Sequence, residues 1–224
     1  MRTVQEHMLV VDNVHKAYQK EPVLNGVSFT CSPSQIVGIC GSNGAGKTTL
    51  IHILASILPA DQGSVSLCQI PITQPVQYRS MIGFVPQQVA LSPQLTVRQN
   101  LHFWAAIKGF TGTKRREAVD SAAEMSHVTS FLQKKVARCS GGMARRANLA
   151  AGLIGLPRLL LLDEPTAGID EENRDAILKT ILSLKDHNCT VLMVNHYYQE
   201  LASVCDRIIT LKDGVIAEAG VHGW

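Results

Sequence analysis

The sequence predicts an α/β fold: a mostly parallel sheet covered by helices on both faces, with an N-terminal antiparallel β portion and an inserted helical subdomain. Three observations predict it. Short apolar runs dominate the first forty residues, with strand-like alternation and clustering. Between about residues 96 and 154 the pattern changes to helical spacing. After residue 158, apolar strands alternate with amphipathic helices, which indicates parallel pairing with both faces buried.

Taken in order, strands are expected at 9–11, 27–30 and 35–39, with Asn25-Gly26 as a turn between the first two. A helix follows over 47–57, its stripe formed by Leu50, Ile51, Ile53, Leu54 and Ile57, and it stops before Pro59. Short strands are expected at 64–67 and 82–85. Helices are then expected over 97–108, 114–125 and 142–154, with 131–135 continuing the helical series. The run Leu159-Leu160-Leu161-Leu162, bounded by Arg158 and Asp163, reads as a buried strand. A helix at 171–185, a strand at 190–194, a short helix near 199–204, a strand at 207–211 and an Asp213-Gly214 hairpin turn complete the chain. Residues 1–224 thus form a single domain, with a core lobe of 1–87 and 158–224 and a helical subdomain of about 88–157.

Composition excludes several classes. The 224 residues carry 21 Lys plus Arg against 18 Asp plus Glu, a balance too even to point to nucleic acid or anionic lipid as a partner. The basic clusters Lys114-Arg115-Arg116 and Arg145-Arg146 read as solvated helix faces. None of the six cysteines forms a C-x-x-C pair or zinc-ligand spacing, and free thiols fit the reducing cytosol. The N-terminus does not resemble a secretory signal, and no segment supplies the ~20 apolar residues of a membrane span. A role at a membrane therefore requires another chain to do the spanning.

The strongest motif is Gly41-Ser42-Asn43-Gly44-Ala45-Gly46-Lys47-Thr48, followed by Thr49, which matches G-x-x-x-x-G-K-[ST] at every fixed position. It follows a strand and opens a helix. The glycines let the backbone curl so that successive N–H groups point at a phosphate, and the helix N-terminus adds partial positive charge. Lys47 reaches the outer phosphates and the Thr48 hydroxyl coordinates magnesium. The expected ligand is a nucleoside triphosphate, ATP with Mg2+, on a phosphate-loop NTPase core.

A second site is expected where the 159–162 strand ends in Asp163-Glu164, because ligands of open α/β sheets bind beyond the carboxyl ends of the strands. Asp163 would hold magnesium and Glu164 would deprotonate the attacking water. Three further signals narrow the choice: Ser140-Gly141-Gly142 at a helix start, Gly83-Phe84-Val85-Pro86-Gln87 at a strand end, and His196 after the 190–194 strand.

In this order the motifs resemble the ATP-binding-cassette superfamily over essentially the whole chain, as a nucleotide-binding subunit of a transporter. By that resemblance Tyr18 stacks on adenine. Gln87 senses magnesium and the γ-phosphate, and His196 is the switch histidine. Ser140, Gly141 and Gly142 touch ATP bound on the opposite subunit of a head-to-tail dimer, and Gly168 and Asp170 link the two sites. The signature departs from the family pattern at Cys139, where Leu is common, and at Met143, where Gln is common. Met143 followed by Ala144-Arg145-Arg146 resembles the variant of drug, antibiotic and lipid exporters. The resemblance implies an ATP-hydrolysing export subunit on the cytoplasmic face of a membrane. It would be paired with a transmembrane permease and with a second copy or a related ATPase, and no nucleic acid partner is expected. The alternative is a soluble cassette in cofactor assembly or translation control.

Overall fold

The computed structural model describes residues 7–221. The chain opens with a hairpin of β1 (Leu9–Tyr18) and β2 (Glu21–Cys31), joined through Gln19 and Lys20. Both turn residues have positive φ, 50° and 73°, the backbone that lets a two-residue turn follow the strand twist. The expected turn at Asn25-Gly26 is therefore corrected. His15 pairs with Asn25 and Val14 with Val27, so Gly26 is the extra residue of a bulge inside β2, at φ 79°. The Asn25 N–H donates to the Gly214 carbonyl at 2.8 Å, tying that bulge to the later hairpin.

β4 (Gln62–Leu67) and β5 (Ile70–Pro71) join this hairpin in an antiparallel sheet ordered β2-β1-β4-β5. The larger sheet contains β3 (Ile36–Cys40), β6 (Ile82–Val85), β7 (Leu159–Asp163), β8 (Thr190–Val194), β9 (Arg207–Lys212) and β10 (Val215–Val221). Its order is β10-β9-β3-β8-β7-β6, and every pairing is parallel except β9 with β10. The expected α/β class with its antiparallel N-terminal portion is what the chain adopts.

Each central strand is buried on both faces. Leu159 and Leu161 pack with Val37, Ile39, Leu192 and Val194 toward α1 (Lys47–Leu54) and the antiparallel sheet. Leu160 and Leu162 pack with Val191 and Met193 toward α5 (Gly141–Leu153), α6 (Glu171–Ser183) and α7 (Tyr198–Val204). An uninterrupted leucine run is the consequence of having two cores to fill.

Between β6 and β7 lie α3 (Val97–Ile107), α4 (Gly112–Met125) and α5, the helical insertion. Residues 131–135 do not continue it as a helix. The Val97 and Arg98 N–H groups donate to the Lys134 and Leu132 carbonyls at 3.0 and 2.9 Å, and Thr96 bridges Lys135. Phe131 instead ends a short 3-10 turn, and the turn after it supplies acceptors to the first turn of α3, whose N–H groups have none within the helix.

The α1 helix stops at Leu54 rather than at 57. Ser56 takes φ 56°, and Arg79 donates to its carbonyl at 2.7 Å and to its hydroxyl at 3.2 Å. Arg79 comes from α2 (Pro75–Ser80), a short helix the sequence pattern did not reveal. α2 also buries Tyr78, whose hydroxyl donates to the Leu54 carbonyl. Nor is Arg145-Arg146 a solvated face: the Arg146 guanidinium packs 5.1 Å from the Phe131 ring and donates to the His127 carbonyl. All six cysteines are free thiols, and no described helix is long and apolar enough to cross a membrane.

Candidate active site at the strand ends

β3, β8, β7 and β6 are neighbours running in one direction, so the loops after them emerge on one edge of the sheet. Those loops carry Gly41 to Gly46, His196, Glu164 and Gln87 respectively. The sequence scatters these groups over more than 150 positions, and the parallel register brings them together. They enclose a cleft of about 590 Å³, walled by Asn43, Gly44 and residues 46–49 on one side and by Gln87, Glu164 and His196 on the other, with Val23 at its edge.

The loop after β3 can only be built this way with glycine at its tight points. Gly46 caps α1 at φ 99°, and a Cβ there would come within 2.8 Å of the Val23 carbonyl oxygen. At Gly41 a Cβ would lie 2.2 Å from the Leu211 carbonyl oxygen. Lys47 is buried, and its Nζ donates to the Gly41 and Ser42 carbonyls at 2.7 and 2.8 Å. The ammonium is thus drawn into the curl of the loop, where a polyphosphate would find backbone N–H groups, the α1 N-terminus and a cation converging.

Glu164 follows β7 at φ 45°, a left-handed conformation that costs a non-glycine residue about 1–3 kcal/mol. Its N–H donates to the Val194 carbonyl, so the turn is enforced from β8. Its two carboxylate oxygens have separate partners. Gln87 Nε2 donates to Oε2 at 2.8 Å, and His196 Nδ1 lies 3.1 Å from Oε1. The His196 ring also lies against Tyr197, with centroids 3.9 Å apart.

Asp163, the last residue of β7, is 4% exposed. Its carboxyl is held above the ordinary carboxylate range, first by burial and then by Glu164, with His52 and Lys47 pulling the other way. A buried acid whose ionisation is disfavoured fits a site that takes up a cation. Thr48 and Gln87 on the cleft wall add further oxygen donors, the hard ligands that magnesium takes together with phosphate oxygens.

The remaining expected residues lie outside this cleft. Tyr18 ends β1 at 47% exposure, one hairpin turn from Val23. Ser140 and Gly141 are exposed, and Ser140 Oγ caps α5 by accepting from the Met143 N–H at 3.2 Å. Gly142 is buried against Asn173 of α6. Asp170, after Gly168, caps α6, and its carboxylate accepts from the Asn173 backbone and side chain at 2.8–2.9 Å, which holds it below the usual carboxylate range. Cys139 Sγ faces the Lys135 carbonyl at 3.5 Å.

Sequence reasoning missed a polar knot behind the site. Glu200 accepts from Thr166 Oγ1 at 2.5 Å and from Asn195 Nδ2, and Asn195 Oδ1 accepts from the Tyr197 N–H. Asn195 is buried and adjoins His196, so Glu200 braces the backbone that presents the imidazole. Glu200 sits four residues after His196 in the first turn of α7, and that spacing is the only trace of it in the sequence.

Residues 24–167 match the ABC transporter family. The chain belongs to the ABC transporter family. Its ATPase domain resembles the linearmycin resistance ATP-binding protein LnrL of Bacillus subtilis (strain 168), with 36% identity over 95% of this chain and 69% of that protein. It is 35% identical to the Nod factor export ATP-binding protein I of Paraburkholderia xenovorans (strain LB400), over 93% of this chain and 69% of the relative. Among solved structures, a dimeric ATP-binding cassette in a post-hydrolysis state bound to ADP and Pi superposes with a TM-score of 0.86 at 28% identity, covering 97% of this chain and all of that one. The cbiO1 protein of Clostridium perfringens, part of the transporter complex cbiONQ, gives a TM-score of 0.87 at 26% identity, over 96% of this chain and 88% of its own.

Proposed function

We propose that this ABC ATPase hydrolyses ATP to energise export across a membrane through a separate membrane-spanning subunit. The observation that carries the reading is Glu164, held by Gln87 and His196 over a cleft whose other wall is the phosphate loop. Lys47 and the loop N–H groups, from Gly41 through Thr49, grip the β- and γ-phosphates. Glu164 accepts the proton of the attacking water, and its two hydrogen bonds fix which lone pair faces that water. His196 follows the transferred phosphoryl group. Thr48, Asp163 and Gln87 would hold Mg2+, which would supply charge neutralisation at the phosphate oxygens. Tyr18 supplies a ring for adenine.

The exposed Ser140 and Gly141, with Gly142 and Asp170 behind them, face ATP held by a second cassette, either another copy of this chain or a related subunit. A groove of about 600 Å³ between the two lobes is lined by Ile57, Phe84, Pro86 and Trp104, with Arg79 and Lys108. It suits a cytoplasmic segment of the membrane subunit, and it would hold this chain on the inner membrane face. The naming of two relatives for linearmycin resistance and Nod factor export supports the direction of transport.

The Glu164→Gln variant tests the chemistry. It should retain ATP binding, lose phosphate release at least a hundredfold and run as a dimer in ATP. Phosphate release at the wild-type rate would remove Glu164 from the role. Co-purification from membranes tests the partner: a membrane-spanning protein should accompany the chain and change its turnover on reconstitution. A soluble complex instead would favour a cassette acting away from membranes.

A further inference from the structure

Gln87 is held in place by a helix of the inserted lobe. Arg145 and Asn148 are three residues apart on α5 and so share one face. Both reach the loop that follows β6. One Arg145 nitrogen donates to the Gln87 carbonyl and the other to the Ala167 carbonyl, the latter at 3.3 Å. Asn148 is 3% exposed. Its Nδ2 donates to the Pro86 carbonyl at 3.1 Å, and its Oδ1 accepts from the Ala90 N–H at 3.0 Å. The backbone is therefore gripped on both sides of Gln87 and at Gln87 itself.

The packing below leaves α5 no slack against β6. A Cβ on Gly152 would lie 2.4 Å from Val85 Cγ2, and one on Gly83 would lie 2.2 Å from the Gly152 carbonyl oxygen. Helix, strand end and loop form one body. At its N-terminus that body exposes Ser140 and Gly141, and through the Gln87 amide it touches the Glu164 carboxylate.

We infer that Arg145 and Asn148 are positioning residues that make the orientation of Gln87, and through it of Glu164, follow the position of α5. The inference rests on the ATPase reading above, in which Ser140 and Gly141 meet ATP on the opposing cassette. Arg145 suits the task because the separate nitrogens of its rigid planar fork reach carbonyls on two different loops in a fixed geometry, whereas a lysine offers its donors from a single nitrogen.

The test is a double-mutant cycle in the full-length chain. Arg145→Met keeps the stem and the helix propensity while removing both donors. It should lower ATP turnover about tenfold and leave ATP affinity by calorimetry within twofold. In a Gln87→Ala background the same change should alter turnover less than twofold, because the group it positions is already gone. A general structural role would instead multiply the two losses. An equal loss in both backgrounds, or wild-type turnover of Arg145→Met, overturns the inference. If Arg145→Met does not fold by thermal melt, Asn148→Ala in the same cycle reads the same coupling. Wild-type turnover of both Gln87→Ala and Glu164→Gln would instead sink the assignment of the catalytic groups. Slow single variants with an additive cycle sink only the coupling.

Discussion

Replacing Gly142 by alanine is a sharp probe of how the two ends of the proposed dimer surface are joined. The added Cβ would fall 2.2 Å from Asn173 Cγ, 2.3 Å from Nδ2 and 2.6 Å from Cβ. Turning the Asn173 amide away cannot relieve the last contact, so α5 or α6 must shift. Overpacking of this kind costs about 1–3 kcal/mol. Asn173 also makes three hydrogen bonds to Asp170, and disturbing them adds about 1 kcal/mol. Alanine in a helix returns up to about 1 kcal/mol relative to glycine. The net loss is about 2 kcal/mol, or a fall in Tm of about 4–8 °C for a chain of this size. Differential scanning calorimetry of Gly142→Ala, Asn173→Ala and the double variant reads it. Relative to Asn173→Ala, the double variant should lose less than Gly142→Ala loses relative to the wild type, since the contacts to Cγ and Nδ2 are gone and only the one to Cβ remains. An unchanged Tm for Gly142→Ala, or losses that simply add, would refute the contact as the reason for glycine here.

Three further outcomes follow from the same geometry. Asp163 has a raised folded pKa, so its stability contribution is complete below the unfolded carboxylate value and is lost as pH rises through the folded one. Asp163→Asn should therefore raise Tm at pH 7–8 in chelator, with the gain vanishing toward pH 4, while abolishing magnesium-dependent turnover; a pH-independent Tm difference would contradict this. Burial lowers the Lys108 ammonium to about 8 from an ordinary 10.5, so stability present above the unfolded pKa is lost as pH falls through the folded one. That shift corresponds to about 3 kcal/mol at neutral pH. Lys108→Met also gives up a hydrogen bond to the Ile154 carbonyl, so it should gain only about 1–2 kcal/mol at pH 7 and nothing above about pH 10 by thermal melts. Glu200→Ala should cut turnover about tenfold with ATP affinity nearly unchanged, and Glu200→Gln should restore most of it by keeping an acceptor for Thr166 and Asn195; equal losses in both variants would show that charge, not bracing, matters.

The sequence by itself determined the elements whose signals are local. The phosphate loop could be read because glycine, lysine and threonine must stand at fixed spacing for one backbone turn to wrap a phosphate. The leucine strand ending in Asp163-Glu164 could be read because a strand with a core on each face has no polar position until it ends. The tertiary structure alone decided the rest. The end of α1 depends on Arg79 reaching Ser56, and the turn over 131–135 depends on unpaired N–H groups at the start of α3. The Asn25-Gly26 bulge depends on strand register. Arg145, Asn148 and Glu200 hold loops that are distant or separately folded, through hydrogen bonds to groups whose location no local pattern encodes. A basic pair on a helix looks the same in sequence whether it faces water or two carbonyls, and only packing distinguishes the two.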